Sequence, residues 1–151
     1  MNKYNLILSK ILQKSKGKHM ITLKKYWIIF GDRKDIPVSG IKIHVSISTK
    51  ICEKFILEIS SMLNKNNYIW KLPNSIEVAS YITNIDNNKI RGKFFTVYPR
   101  DNNEFLQIIN KLLCIDDIFK ECIDIREEYH ISKSRIYFRY YDKEVEQNRL
   151  T

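Results

Sequence analysis

The sequence predicts an α+β fold: a largely antiparallel sheet with helices packed on one side, in a single domain. Ile41, Ile43, Val45 and Ile47 alternate strictly with Lys42, His44, Ser46 and Ser48. Successive side chains of a strand point to opposite faces, so one face of this strand is buried and the other is wet. Strand patterns are interleaved with helical ones, and a sheet with one wet face and helices on the other fits an antiparallel arrangement. The 151 residues are 44% hydrophobic and 28% charged, with only four Gly and three Pro. That composition suits one globular core and leaves no linker to divide the chain.

Leu6, Ile7, Leu8, Ile11 and Leu12 predict a short amphipathic helix over 5–14, followed by the basic stretch Lys14-Ser15-Lys16-Gly17-Lys18. Residues 1–20 read as an N-terminal extension, free to fray or to dock a partner, ahead of a domain over 21–151. Residues 21–30 are rich in β-branched and aromatic types and predict a strand, closed by a turn over 31–35. The alternating strand follows, framed by Pro37 and Gly40. Thr49 is the expected N-cap of a helix over 50–63, with Ile51, Phe55, Ile59, Met62 and Leu63 as its apolar stripe. Tyr68 to Leu72 predicts a short strand carrying Lys71, ended by Pro73. Asn74 with Glu77, and Asp101 with Glu104, have capping-box spacing and open helices running to about Thr83 and Cys114. A polar loop over 84–89 and a strand over 93–98 lie between them. After an irregular stretch from Asp116, Arg135, Tyr137, Arg139 and Tyr141 alternate with Ile136, Phe138 and Tyr140 in a last strand.

Lys and Arg number 26 against 17 Asp and Glu, a formal net charge of +9. This favours an anionic partner: a phosphorylated peptide, nucleic acid or an anionic membrane surface. Tyr137 and Tyr141 interleaved with Arg135 and Arg139 would suit nucleic acid, but no RNP, KH, zinc or helix-turn-helix pattern appears. No run is long and apolar enough to span a bilayer, and the start lacks the features of a secretory signal. The three Cys (Cys52, Cys114 and Cys122) form no C-x-x-C pair and no ligand cluster with the three His, so neither a metal site nor a disulfide framework is expected. Cys52 and Cys114 fall in helical patterns as buried small hydrophobes, and the odd count fits a reducing, cytoplasmic setting.

Lys42 and His44 share the polar face of one strand. A fixed cation beside a group able to donate a proton near neutral pH suits an anionic substrate whose leaving group needs protonating.

Four segments occur in order between about Tyr26 and Tyr141: Gly40–Ile47 (GIKIHVSI), Lys71 in Trp70-Lys71-Leu72-Pro73, Gly92–Pro99 (GKFFTVYP) and Tyr137-Phe138-Arg139-Tyr140. Together they resemble the N-terminal lyase domain of class III and IV lanthipeptide synthetases. That domain is similar to the phosphothreonine lyases that some pathogens inject into host cells. The resemblance implies β-elimination of phosphate from phosphoserine or phosphothreonine in a precursor peptide, giving dehydroalanine or dehydrobutyrine, with no metal or organic cofactor. It implies Lys71 as the base, His44 as the general acid, and Lys42 on the phosphate or on the negative charge developing at the substrate carbonyl. Arg139 matches a phosphate-binding arginine, Arg91 and Lys93 lie where the family has further cations, and Tyr98 matches a substrate-binding hydroxyl.

A second family arginine, upstream of the one matched by Arg139, falls on Arg126 or Arg135. Arg135 shares the face of Arg139 and is the choice on geometry. Lys93 and Tyr98 have opposite parity, so a regular strand would send them to opposite faces unless a bulge intervenes. The chain carries no Gly-rich loop and no kinase catalytic motif, so it reads either as a standalone lyase or as one domain of a larger protein, with kinase and cyclase proteins or domains as the expected partners. Two further readings stand beside this one: a lyase acting on a phosphorylated signalling protein, and a basic nucleic-acid-binding or scaffolding module without catalysis.

Overall fold

In the computed structural model, which describes residues 2–84 and 89–144, a single seven-stranded sheet runs through the molecule. Its strands are β1 (Ile21–Leu23), β2 (Trp27–Phe30), β3 (Ser39–Val45), β4 (Trp70–Pro73), β5 (Phe95–Val97), β6 (Tyr129–His130) and β7 (Ile136–Asp142). They lie in the order β1-β2-β4-β5-β3-β7-β6, and every neighbouring pair is antiparallel. The helices are α1 (Lys3–Ser15), α2 (Glu53–Lys65), α3 (Ile76–Ile82) and α4 (Asn102–Leu113). Among the described residues no helix is long and apolar enough to cross a membrane.

The alternation along β3 sends Ile43 and Val45 into the core, where they join Trp70, Leu72 and Val97 from the neighbouring strands. The apolar stripes of the helices close over them: Phe55, Ile59 and Leu63 of α2, and Ile108 and Leu112 of α4. Each such fully buried side chain contributes about 1.5–3 kcal/mol. The Phe30 and Trp70 rings stack at 4.4 Å in the middle of this layer. The architecture is the α+β arrangement that the sequence predicts.

The N-terminal helix does not fray. Tyr4, Ile7 and Ile11 of α1 are buried in the same cluster, and the Tyr4 hydroxyl donates to the Pro73 carbonyl at 2.6 Å. The strand expected over 21–30 is broken into the hairpin β1–β2, in which Lys24 N bonds to Trp27 O. Part of the expected turn over 31–35 is a one-turn 3₁₀ helix, Arg33–Asp35. Helix α2 opens at Cys52, not Thr49, because the Ser48 hydroxyl donates to Lys50 O and holds residues 48–50 in a bend. Ser75, not Asn74, caps α3 by accepting from Val78 N; the Asn74 amide donates instead to Lys24 O and Lys25 O. Asp101 caps α4 as expected, accepting from Glu104 N at 2.8 Å. Cys52 and Cys114 are exposed, because they sit at the ends of α2 and α4 rather than on their buried stripes. The edge strand β6 has no counterpart in the sequence reading. Most of the loop expected over 84–89 lies outside the described residues.

Candidate active site

Residues directly opposite one another on paired strands share a face of the sheet. The register pairs Lys71 with Thr96, Thr96 with His44, His44 with Tyr137, and Tyr137 with His130. One row therefore crosses five strands on the face turned away from the core. Lys71 and His44 lie in this row on strands β4 and β3, with Thr96 of β5 between them. Strand spacing puts their backbones about 10 Å apart. The next row along β3 pairs Lys42 with Arg139 and adds two cations on the same face.

A segment after α4 crosses this face. Ile123 N bonds to Ile47 O, the Ser46 hydroxyl donates to Ile123 O, and Ile123 and Ile125 are buried. Gly92 packs against the segment with φ +76; a Cβ there would lie 2.9 Å from Ile125 Cγ1 and 3.0 Å from Ile123 O. The segment ends by delivering Glu128 to the centre of the site. Its side chain is only 1% exposed, and Oε1 lies 2.8 Å from His44 Nδ1. Its other oxygen lies 3.5 Å from Arg139 Nε and 3.7 Å from Lys93 Nζ.

Burial holds the His44 imidazole down to a pKa of about 4, more than offsetting the upward pull of the Glu128 hydrogen bond. Burial pushes Glu128 up, but the His44 hydrogen bond and the charges of Lys93 and Arg139 outweigh it, and its pKa is lowered. At neutral pH the pair is thus a neutral imidazole donating Nδ1–H to a carboxylate. Nε2 is left as the nitrogen for any ligand. A phosphate dianion entering beside Nε2 would favour the imidazolium.

Aromatic rings wall the Lys71 side of the row. Lys71 Nζ lies 4.6 Å from the Trp27 ring centroid and 5.6 Å from that of Tyr98. Tyr98 meets Tyr141 edge-on at 6.3 Å, and Lys42 Nζ lies 5.6 Å from the Tyr141 ring. The Tyr141 hydroxyl donates to Pro37 O, which fixes that ring. The result is an aromatic arc joining Lys71 to Lys42, next to the cation cluster around Glu128.

Lys42, His44, Lys71, Lys93, Tyr98 and Arg139 are thus brought to one face. Lys93 and Tyr98 share it because β5 starts only at Phe95. Ahead of it the chain turns at Gly92, with Phe94 N bonded to Gly92 O, and both Phe94 and Phe95 enter the core. Parity therefore does not carry back to Lys93. Arg91 sits at the rim with Nη2 2.6 Å from Asp124 Oδ1.

Arg135 is not brought to the site. It precedes β7, its Nε donates to Asp117 O at 2.8 Å, and its guanidinium stacks on Phe55 of α2 at 4.6 Å. Arg126 is exposed. Sequence reasoning missed Glu128, Thr96 and Trp27. No sequence pattern marks Glu128; it is placed by the pairing of β6, whose first residue Tyr129 lies opposite Phe138 beside Arg139. Among the described residues no cluster of His, Cys, Asp and Glu could hold a metal ion. Cations beside a hydrogen-bonded imidazole can bind an anion and pass it a proton.

A family model described as "RamC, N-terminal domain" matches residues 10–144. No curated protein matches the sequence. Among solved structures the chain is similar to the phosphothreonine lyase SpvC, an effector protein from Salmonella, at 15% identity and a TM-score of 0.55, covering 87% of this chain and 72% of that one. It is also similar to a structure of a phosphothreonine lyase described for its enzymatic mechanism, at 15% identity and a TM-score of 0.51, covering 90% and 72%. At this identity the likeness shows the fold.

Proposed function

The chain belongs to the RamC N-terminal domain family, and from that premise we propose that it is a lyase that removes phosphate from phosphoserine or phosphothreonine by β-elimination. The observation that carries this reading is the placement of Lys71 and His44 on one face, either side of Thr96. A phosphorylated residue lying over Thr96 would present its Cα to one and its phosphate-bearing oxygen to the other.

In this scheme Lys71 Nζ takes the Cα proton. The Cα–H electron pair becomes the Cα=Cβ bond, the Cβ–O bond breaks, and the leaving oxygen takes the proton from His44 Nε2. The products are an alkene, dehydroalanine or dehydrobutyrine, and inorganic phosphate. Lys42, Lys93 and Arg139 hold the dianion and the charge that grows in the transition state, and Tyr98 lines the peptide. Because these side chains supply the positive charge, the scheme calls for no metal or organic cofactor. Lys71 acts as a base only when its ammonium is deprotonated, which exclusion of water on substrate binding favours.

Glu128 keeps Nδ1 protonated, so Nε2 faces the phosphate. The imidazole that is neutral in the empty site gains its second proton as phosphate binds.

The sequence resemblance points to a ribosomal precursor peptide of the lanthipeptide class as substrate, phosphorylated by a kinase and passed to a cyclase, each a partner protein or a further domain, in the cytoplasm. The likeness to phosphothreonine lyase structures favours a second substrate for the same chemistry, a phosphorylated signalling protein. The test is the fate of the phosphorylated residue. Elimination leaves an alkene that traps an added thiol, hydrolysis leaves a hydroxyl that does not, and supplying a phosphopeptide beside a folded phosphoprotein separates the two substrates.

A further inference from the structure

Residues 1–31 contain seven Lys and neither Asp nor Glu, so most of the net charge of +9 is concentrated in α1 and the first hairpin. The lysines of α1 and the turn after it lie with the helices that cover the core face of the sheet, opposite the row of Lys71 and His44. There α1 and α2 form a groove of about 460 Å³. Lys14 and Lys18 border it from the end of α1 and the turn after it, His19 follows, and Lys65 closes it from the end of α2. The half-buried Leu57 gives it an apolar patch, with Ile11 buried behind it. Among the described residues no carboxylate lines it. The one acidic neighbour of α1 on α2, Glu53, pairs with Lys10 one helical turn before Lys14.

The groove rests on a fixed base. The Asn64 amide donates to the Ser15 hydroxyl at 2.8 Å, Ser15 donates to Ile11 O, and the Trp70 indole donates to Asn64 Oδ1 at 2.8 Å. These bonds tie the ends of α1 and α2 to strand β4 and fix the backbone from which Lys14 and Lys65 project.

We propose that this groove is a docking site for an acidic polypeptide segment with an apolar residue among its carboxylates. The lysines would face the carboxylates, and Leu57 would receive the apolar side chain. A single-stranded nucleic acid fits less well, since it binds on aromatic platforms and no aromatic residue lines the groove among those described. A membrane surface fits less well too, because the apolar stripe of α1 (Tyr4, Ile7, Leu8 and Ile11) is used inside the protein and an interfacial helix must offer that stripe to lipid. The proposal stands apart from the reading of the catalytic face.

The experiment is a fluorescence-anisotropy titration of the full chain against a fluorescein-labelled peptide of Glu and Leu, with the same peptide carrying Gln for Glu, a single-stranded oligonucleotide and anionic phospholipid vesicles alongside. Saturable binding of the Glu peptide is expected, with little binding of the Gln peptide. Lys14→Glu with Lys18→Glu, and separately Lys65→Gln, should each weaken binding, the double reversal by about tenfold or more, while Lys71→Ala leaves it unchanged. Matching thermal transitions confirm that the variants fold. Absence of binding to the Glu peptide, equal binding of the Gln peptide, or no loss in the groove variants overturns the proposal. So does tighter binding of oligonucleotide or vesicles that the same variants abolish.

Discussion

His44 Nδ1 and Glu128 Oε1 lie 2.8 Å apart with both side chains almost wholly out of water, and this pair organises the candidate site. It sets the imidazole tautomer, and it holds a carboxylate among Lys93 and Arg139. That carboxylate stands where a negative charge is electrostatically welcome. Substrate phosphate would compete for the same cations.

The pair predicts how variants divide. His44→Ala should lower kcat for phosphate elimination by about 10²- to 10⁴-fold, the usual worth of a positioned acid. Glu128→Gln should cost less, about tenfold to a hundredfold, and should change the pH profile, since the neutral amide lacks the charge that favours the imidazolium and can donate to Nδ1 as well as accept from it. Steady-state rates from pH 5 to 9 check this. A Glu128→Gln profile that superimposes on the wild type would remove Glu128 from the proton path.

Stability should fall in acid. Folded His44 resists protonation until about pH 4, whereas an unfolded histidine titrates near 6.5. As pH falls below 6.5 the unfolded chain takes up a proton that the folded chain refuses, so folding stability is lost across the window from 6.5 to 4. Full titration over that window corresponds to about 3 kcal/mol. Glu128, with its lowered pKa, adds a loss of the same sign. Urea unfolding at pH 7 and pH 4.5 should show the drop, and His44→Gln should flatten it; equal midpoints for the wild type at both pH values would contradict a buried neutral imidazole.

Arg135 and Arg139 should separate cleanly despite their shared parity in the sequence. Arg139→Ala should raise KM for a phosphopeptide about tenfold or more through loss of a charge-assisted contact, with a modest change in Tm. Arg135→Ala should lower stability by about 2 kcal/mol, because the Asp117 carbonyl loses its donor and Phe55 its stacked guanidinium, with KM close to wild type. A large KM change in Arg135→Ala without destabilisation would restore it to the site.

Much of this was legible in the sequence, for a physical reason. Alternation along β3 marks one polar face, and the residues on that face, Lys42 and His44, are the ones the structure assembles with Lys71 and Arg139; the expected wetness fails at His44 and Ser46, which the segment carrying Ile123 and Glu128 covers. What lay hidden depends on tertiary contact. Glu128 comes from an irregular segment whose course is set by packing of Ile123 and Ile125, and no period marks such a segment. Arg135 has the parity of Arg139 but lies one residue before β7, where alternation no longer governs direction. Thr49 and Asn74 look like caps, yet local bonds at Ser48 and a reach to the β1–β2 turn leave the helix starts to Cys52 and Ser75. Cys52 lies one residue before α2 and Cys114 one residue after α4, outside the stripes that would bury them.

Gly92 joins fold to chemistry. Gly92→Ala would place a Cβ against Ile125 and the Ile123 carbonyl, at a φ that favours glycine. It should cost about 1–3 kcal/mol and shift the segment that carries Glu128, so activity should fall further than stability alone explains. Denaturant midpoints together with kcat at a temperature where the variant remains folded would show it; full activity would uncouple the segment from the site.

The central claim is that Lys71 and His44, facing each other across Thr96, carry out an elimination. The most direct measurement is mass spectrometry of a phosphothreonine peptide incubated with the wild type, Lys71→Ala and His44→Ala, with a thiol added to trap alkene. The account predicts loss of the elements of phosphoric acid and a thiol adduct with the wild type, and strong loss of both in the two folded variants. Release of phosphate that leaves an intact hydroxyl, or elimination that persists in Lys71→Ala, would contradict it.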